Sequence, residues 1–381
     1  MNKKELFTII YTIIILFSVM YATQPLQPLL AQEFNISIIE ASSFTAVIML
    51  FLAIAPIFYG YILEKSNAKK VIIFASILLF ITNLILSFTE TYEMFLFIRT
   101  IEAIIIPAIL TACMSILASD KKNTKFNMSI YVASTVFGGL VGRIMSGYIA
   151  TEFGWRAVFL SLSFALLIGL YFIKNITNNT ESNTTKVKAL DIVYILKDKR
   201  FFIIYLMMFC VFFVFAGLLN ILPFKVKEVM PNASETQLGL LYLGYGMGII
   251  VSLYIHKIIN IFQKELRAIL FGIVIFSIST ILFLFTNPTF MFGMVFLFCV
   301  GMFIIHTVAT RIANSLKGSQ KSLTSGMYLA FYYIGGTVGS ILPPYIYLNY
   351  GWGNTILLFF TILFFIFILV YKNMRIFKDF T

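Results

Sequence analysis

The chain has 381 residues, of which 60% are hydrophobic and only 12% charged. A soluble domain carries about 25% charged residues, so the composition excludes an ordinary soluble enzyme and describes a polytopic membrane protein. The net charge of +12 is not read as affinity for nucleic acid, because its placement along the chain has another explanation.

From the amino terminus, residues 1–5 lead straight into an apolar run with no small-residue cleavage site, so no removable signal peptide is expected. Twelve apolar runs follow, at 6–30, 39–63, 71–88, 94–117, 126–150, 157–173, 201–222, 238–259, 269–285, 290–316, 323–347 and 355–371. A helix needs about 20 such residues to cross roughly 30 Å of hydrocarbon. The expected fold is therefore all-α, with twelve transmembrane helices in two pseudo-symmetric six-helix bundles, residues 1–173 and 201–381. Residues 174–200 form a linker. Its first part, 175–185, reads NITNNTESNTT and is too polar to offset the entropy of ordering by burial. Residues 187–196 are more apolar and are expected to form a short amphipathic helix.

Twenty-two Lys and Arg residues fall at the two termini, in every second loop and in the linker, against three (Arg156, Lys225 and Lys227) on the opposite side. Positive charge is retained in the cytoplasm, which places both termini there. Cys113, Cys210 and Cys299 lie inside apolar runs and imply no disulfide framework. Neither a metal site nor a nucleotide-binding loop is visible.

Residues 131–155, YVASTVFGGLVGRIMSGYIATEFGW, return as 328–352, YLAFYYIGGTVGSILPPYIYLNYGW, without a gap. Gly138, Gly139 and Gly142 match Gly335, Gly336 and Gly339, and Gly154-Trp155 matches Gly351-Trp352. Ser134, Gly138, Gly142 and Ser146 are four apart on one helical face, where small residues let another backbone approach. Each Gly-Trp is expected at the membrane interface, which suits an amphipathic ring. Two copies of a helical half point to a transporter with its site between them.

The loop after the second run places Gly60, Glu64, Lys65, Lys69 and Lys70 in the order glycine, acid, base, basic pair. In this the chain resembles the major facilitator superfamily, with Asn67 where the family has glycine. The resemblance implies that this loop latches a cytoplasmic gate. It also implies a transporter that rocks between inward- and outward-open states. Residues 21–30, the Gly138-Gly139-x-x-Gly142-Arg143 run, Phe303-x-x-His306 and Tyr328–Gly335 look similar to a bacterial branch named for drug or arabinose efflux. That implies the bacterial cytoplasmic (inner) membrane and, by family default, a monomer.

In the fourth run, Arg99 and Glu102 share a helical face. The family has Gln and Gly where this chain has Glu102 and Ala103, and it links the Arg to proton coupling. An ionisable group in a membrane helix is costly and so suggests function. Counting about 1.5 Å per residue, Glu102 lies about 14 Å deep and Arg143 about 11 Å. Glu102 is thus either a proton carrier or the structural counter-ion of Arg143 or Arg99. His306, the histidine deep in a span, is either a packing residue or a coupling group. Arg311 is expected to snorkel or anchor its helix. Gln24, Gln27, Asn220, Tyr332 and Tyr333 fall on helices that line the family's cavity, and either contact substrate or tie neighbouring helices together. The expected function is proton-coupled efflux of a small amphipathic or sugar-like solute, with no cofactor beyond the proton gradient. Proton-coupled uptake of a metabolite is the alternative, and a membrane-embedded enzyme or sensor a remote third.

Overall fold

The computed structural model describes residues 1–64, 66–120, 122–177, 189–316 and 321–377. Among these the fold is all-helical, with no strand. The helices are α1 (Lys3–Tyr21), α2 (Gln27–Glu33), α3 (Ile38–Glu64), α4 (Ala68–Leu86), α5 (Tyr92–Ser119), α6 (Thr124–Phe153), α7 (Trp155–Ile173), α8 (Ala189–Lys197), α9 (Lys199–Val229), α10 (Glu235–Leu240), α11 (Met247–Phe262), α12 (Glu265–Leu282), α13 (Pro288–Ser315) and α14 (Lys321–Lys372). Ten helical stretches are long and apolar enough to cross a membrane. The longest of them, α14, is two helices meeting at Gly351, where φ is 81°, and α3 completes the twelve.

The chain forms two compact units. One comprises Met1–Lys186 with Ala233–Leu240, the other Val187–Asn232 with Leu241–Thr381. The short helix expected in the linker is α8.

Two of the twelve runs are not continuous helices. Pro25 has no N–H to give the Tyr21 carbonyl, which accepts from Gln24 N–H instead at 3.1 Å. The chain turns over residues 22–26 and resumes as α2. The eighth run opens as α10, passes through a 3₁₀ stretch at Leu241–Gly246, and resumes as α11. Gly244 belongs to that stretch, and a Cβ there would stand 2.8 Å from Phe296 N on α13.

In the first unit α6 packs on α1 through the predicted glycines. A Cβ on Gly138 would stand 2.6 Å from the Ile14 carbonyl, and one on Gly142 would overlap Ser18. The second unit repeats this contact between α14 and α9, Gly335 lying on Phe209 and Gly339 on Phe213. The two Gly-Trp pairs are equivalent in backbone, Gly154 having φ 82° and Gly351 φ 81°, a region that favours glycine. Their rings pack inside the protein, at the helix ends where the Gly-Trp pairs stand. Trp155 is buried among Phe34, Phe95 and Phe159. Trp352 is buried as well and donates to the Phe283 carbonyl at 2.7 Å.

Candidate functional site

The centre of the first unit holds a buried ion pair. Arg99 and Glu102 sit one turn apart on α5, both wholly enclosed, with Arg99 Nη1 2.6 Å from Glu102 Oε2. Arg99 also donates from Nη1 to the Val19 carbonyl and from Nη2 to the Met20 carbonyl, each at 3.1 Å. These carbonyls lie at the end of α1, next to the turn at Pro25, so the break in α1 and the guanidinium are mutually supporting.

The other carboxylate oxygen, Glu102 Oε1, faces α4. Asn83 Nδ2 donates to it at 2.7 Å and to the Leu79 carbonyl at 2.9 Å. Thr82 Oγ1 lies 3.1 Å from it and 3.0 Å from the same Leu79 carbonyl. A hydroxyl has one hydrogen. Pointed at Glu102, it completes the donor set of a carboxylate; pointed at Leu79, it leaves an oxygen able to accept from a carboxylic acid. The site therefore accommodates both protonation states of Glu102 by rotating one bond. Thr82 and Asn83 were not among the sequence candidates, although they form a polar pair within the otherwise apolar stretch ILLFITNLIL.

Of the two arginines at similar depth, Arg99 is the partner of Glu102. Arg143 on α6 instead donates from Nε to Gln24 Oε1 at 2.6 Å and from Nη1 to the Gly139 carbonyl at 2.8 Å. Its guanidinium lies over the Tyr21 ring, 3.8 Å from the centroid. Gln27 donates to Thr45 Oγ1 on α3 at 3.0 Å. Both glutamines are buried and tie helices of the first unit together.

In the second unit Asn220, also buried, donates to Ser340 Oγ at 2.8 Å and joins α9 to α14. His306 Nδ1 is 3.0 Å from the Tyr328 hydroxyl, which is 3.0 Å from Thr310 Oγ1. Tyr332 stacks on Phe212 with centroids 3.7 Å apart, lies 5.0 Å from the His306 ring and meets Tyr333 edge-on. His306, Tyr332 and Tyr333 are only half-buried. Arg311 ties α13 to its neighbours: its Nε pairs with Glu265 on α12 at 2.6 Å and its Nη1 lies 3.1 Å from His256 Nδ1 on α11.

Of the loop motif, Lys65 lies outside the described residues, as do the side chains at 60 and 64. Asn67 caps α4 by accepting from the N–H groups of Lys69 and Lys70. Lys69 Nζ donates to the Ile176 carbonyl at 2.6 Å, and Lys70 is exposed. Among the described residues no group of three or more His, Cys, Asp and Glu could hold a metal ion.

Comparison with known proteins agrees with this architecture. The profile of the Major Facilitator Superfamily matches residues 9–304 and 231–376. The chain is 25% identical over 345 residues to the inner membrane transport protein YnfM of Escherichia coli, covering 89% of this chain and 82% of that one. It is 22% identical over 269 residues to the cis,cis-muconate transport protein of Acinetobacter baylyi, covering 66% and 63%. Among solved structures, a bacterial homologue of the human lysosomal transporter Spinster, inward-facing and unoccupied, has a TM-score of 0.82 at 14% identity, over 100% of this chain and 98% of that one. The nucleoside transporter NupG has 0.80 at 13%, over 99% and 100%.

Proposed function

The chain belongs to the Major Facilitator Superfamily and is a multi-pass membrane transporter, not an enzyme; from that premise we propose that it works by proton coupling, with Glu102 as the proton carrier and Arg99 as its counter-ion. The observation that carries this reading is the Thr82 hydroxyl, shared between Glu102 and the Leu79 carbonyl, which suits either protonation state. A purely structural ion pair has no use for that choice. Arg143 and His306 are secondary candidates, the first held by Gln24 and the second by Tyr328.

We place the protein in a bacterial inner membrane as a monomer with both termini in the cytoplasm. Its work in this reading is export of a small amphipathic or sugar-like molecule, within the efflux branch that the sequence motifs resemble. The proton gradient is the energy source. The half-buried aromatic surface of Tyr332 and Tyr333 beside His306 supports an uncharged or amphipathic solute. The second reading is proton-coupled uptake of a metabolite, with muconate as the first solute to test because of the similarity to the cis,cis-muconate transport protein.

A toxicity panel of dyes, antibiotics and sugars in a pump-deficient bacterium tests the first reading, with membrane expression checked. Wild type is expected to protect against some compounds, Glu102→Gln to abolish that protection, and a protonophore to do the same. Equal protection by the variant would sink the role of Glu102. Accumulation of labelled muconate by expressing cells would replace export with uptake.

A further inference from the structure

Among the described residues, six buried side-chain atoms of the first unit have no hydrogen-bond partner: Trp155 Nε1 at the start of α7, and five between the end of α1 and α5, namely Thr23 Oγ1, Gln27 Oε1, Ser42 Oγ, Asn83 Oδ1 and Arg99 Nε. All five side chains are 0% exposed. Native proteins leave few buried polar groups unpaired, so five on α1 to α5 of one bundle call for a common explanation.

Their positions form a series. Thr23 lies in the turn between α1 and α2, and Gln27 opens α2, whose other end carries Glu33 in an exposed pair with Arg156 at 2.9 Å. Gln27 reaches α3 at Thr45, one turn from Ser42. Arg99 is fixed to the Met20 carbonyl, three residues before Thr23, and Asn83 is bonded to Glu102. The series thus starts one short helix, about 10 Å at 1.5 Å per residue, from the surface and ends at the buried carboxylate.

The chemistry of the five selects the ligand. The amide oxygens of Gln27 and Asn83 only accept, Arg99 Nε–H only donates, and the two hydroxyls do both. A metal ion would serve the acceptors and be repelled by the guanidinium. An anion would serve Arg99 and the two hydroxyls but be repelled by the two amide oxygens. Water serves all five, and bridging otherwise unsatisfied buried groups is its usual structural role.

We propose that internal water threads these five groups, and that it conducts protons between the Glu33–Arg156 end of the bundle and Glu102. The second half of the proposal rests on the proton-carrier reading given above; the first does not. A proton passed along the water ends on a Glu102 oxygen, Thr82 turns its hydrogen to the Leu79 carbonyl, and Arg99 is left as the uncompensated charge until the proton departs. Of the charged groups around Glu102, Arg99 touches it. The elements packed on α5 contribute Arg143 from α6, held by Gln24; from α3, Glu40 at the outer end, bonded to Ser37; and from α1, Glu5 near the opposite terminus, bonded to Thr177 N–H. From α4, the groups facing Glu102 are the neutral Thr82 and Asn83.

Two measurements on the purified full chain in lipid nanodiscs test this. Radiolytic hydroxyl labelling, read by mass spectrometry, is expected to mark residues 23–27 and 42–45 despite their burial, and the double variant Thr23→Val with Ser42→Ala is expected to lower that label several-fold. The same variant is expected to lower the thermal midpoint, because it strips partners from bound water. No label, or a midpoint unchanged or raised, means a dry interior and overturns the proposal.

Infrared spectroscopy after a pH jump then follows the protonated-carboxyl band that Glu102→Gln removes. The double variant is expected to slow its appearance about tenfold. An unchanged rate overturns the proton path. If Glu102→Gln removes no band, the carrier reading falls, and with it the path, while the water stands on the labelling.

Discussion

In the first unit α5 carries Arg99 and Glu102 at its centre. In the second, α13 is also 28 residues long, and matched end to end it places Val295 opposite Arg99 and Phe298 opposite Glu102. Phe298 packs against Phe215, Phe276 and Phe283 with centroids 5.5, 4.5 and 5.8 Å away. The polar residues at the level of Thr82 and Asn83 are Ser279 and Thr280, which bond to their own helix at the Phe276 carbonyl. The contrast recurs on the repeated helix. Arg143 aligns with Ser340 in the repeat; Arg143 bonds Gln24 in the turn after α1, and Ser340 bonds Asn220 on α9. One position holds a charged contact in the first unit and a neutral one in the second. Glycine contacts are common to both units, so duplication preserved the way helices approach one another. The interior chemistry differs: the buried arginines and the Arg99–Glu102 pair all lie in the first unit.

Moving residues across this comparison gives its strongest test. Glu102→Ala leaves Arg99 buried and unpaired, and is expected to cost about 3–5 kcal/mol in thermal unfolding of the solubilised protein. The transplant Arg99→Val with Glu102→Phe, which installs the second unit's pair, should recover most of that loss while abolishing proton coupling. Next, Gly138→Val and Gly335→Val should each destabilise by about 1–3 kcal/mol through overpacking, and by similar amounts because this contact is shared. Gln24→Ala should cost about 1.5–3 kcal/mol and Asn220→Ala about 0.5–1.5, the difference between a hydrogen bond to a charge and a neutral one.

The smallest effect reverses the asymmetry. Asn2 caps α1 by accepting from Glu5 N–H, whereas Asp198 caps α9 by accepting from Arg200 N–H. Losing either cap should cost about 1 kcal/mol, but only one loss should depend on pH. Hydrogen bonds from the Arg200 side chain, which lies 2.8 Å away, hold the Asp198 carboxyl below its usual range despite partial burial. A depressed carboxylate stabilises the fold above its unfolded pKa of about 3.9 and loses that contribution as pH falls through the lower folded value. The midpoint difference between wild type and Asp198→Ala should therefore shrink as the solution is acidified, with no matching trend for Asn2→Ala.

The duplication, the helix count and the glycine contacts were legible because they depend on residue type and spacing alone. Gly138 and Gly335 could be assigned to close helix contacts before any coordinates. The partner of Glu102 could not, since depth along a helix leaves Arg99 and Arg143 equivalent; only the azimuth of α6 turns Arg143 toward Gln24. Hydropathy also conceals breaks. Pro25 and the glycines at 244 and 246 stand where α-helix is interrupted without interrupting an apolar run. The burial of Trp155 and Trp352 was missed because an indole beside a helix end suits a lipid headgroup or a neighbouring helix equally well.

The single-residue elbows at Gly154 and Gly351 bear on biosynthesis. With one residue between Phe153 and Trp155, the start of α7 is tethered within a few ångströms of the end of α6, about 3.8 Å per residue of chain. Neither helix can complete its crossing while the other waits outside. The pair must enter the bilayer together as a closed hairpin, and the same holds for the two halves of α14. A side chain that stiffened either elbow would therefore show itself first as failed insertion and low yield, before any defect in the finished transporter.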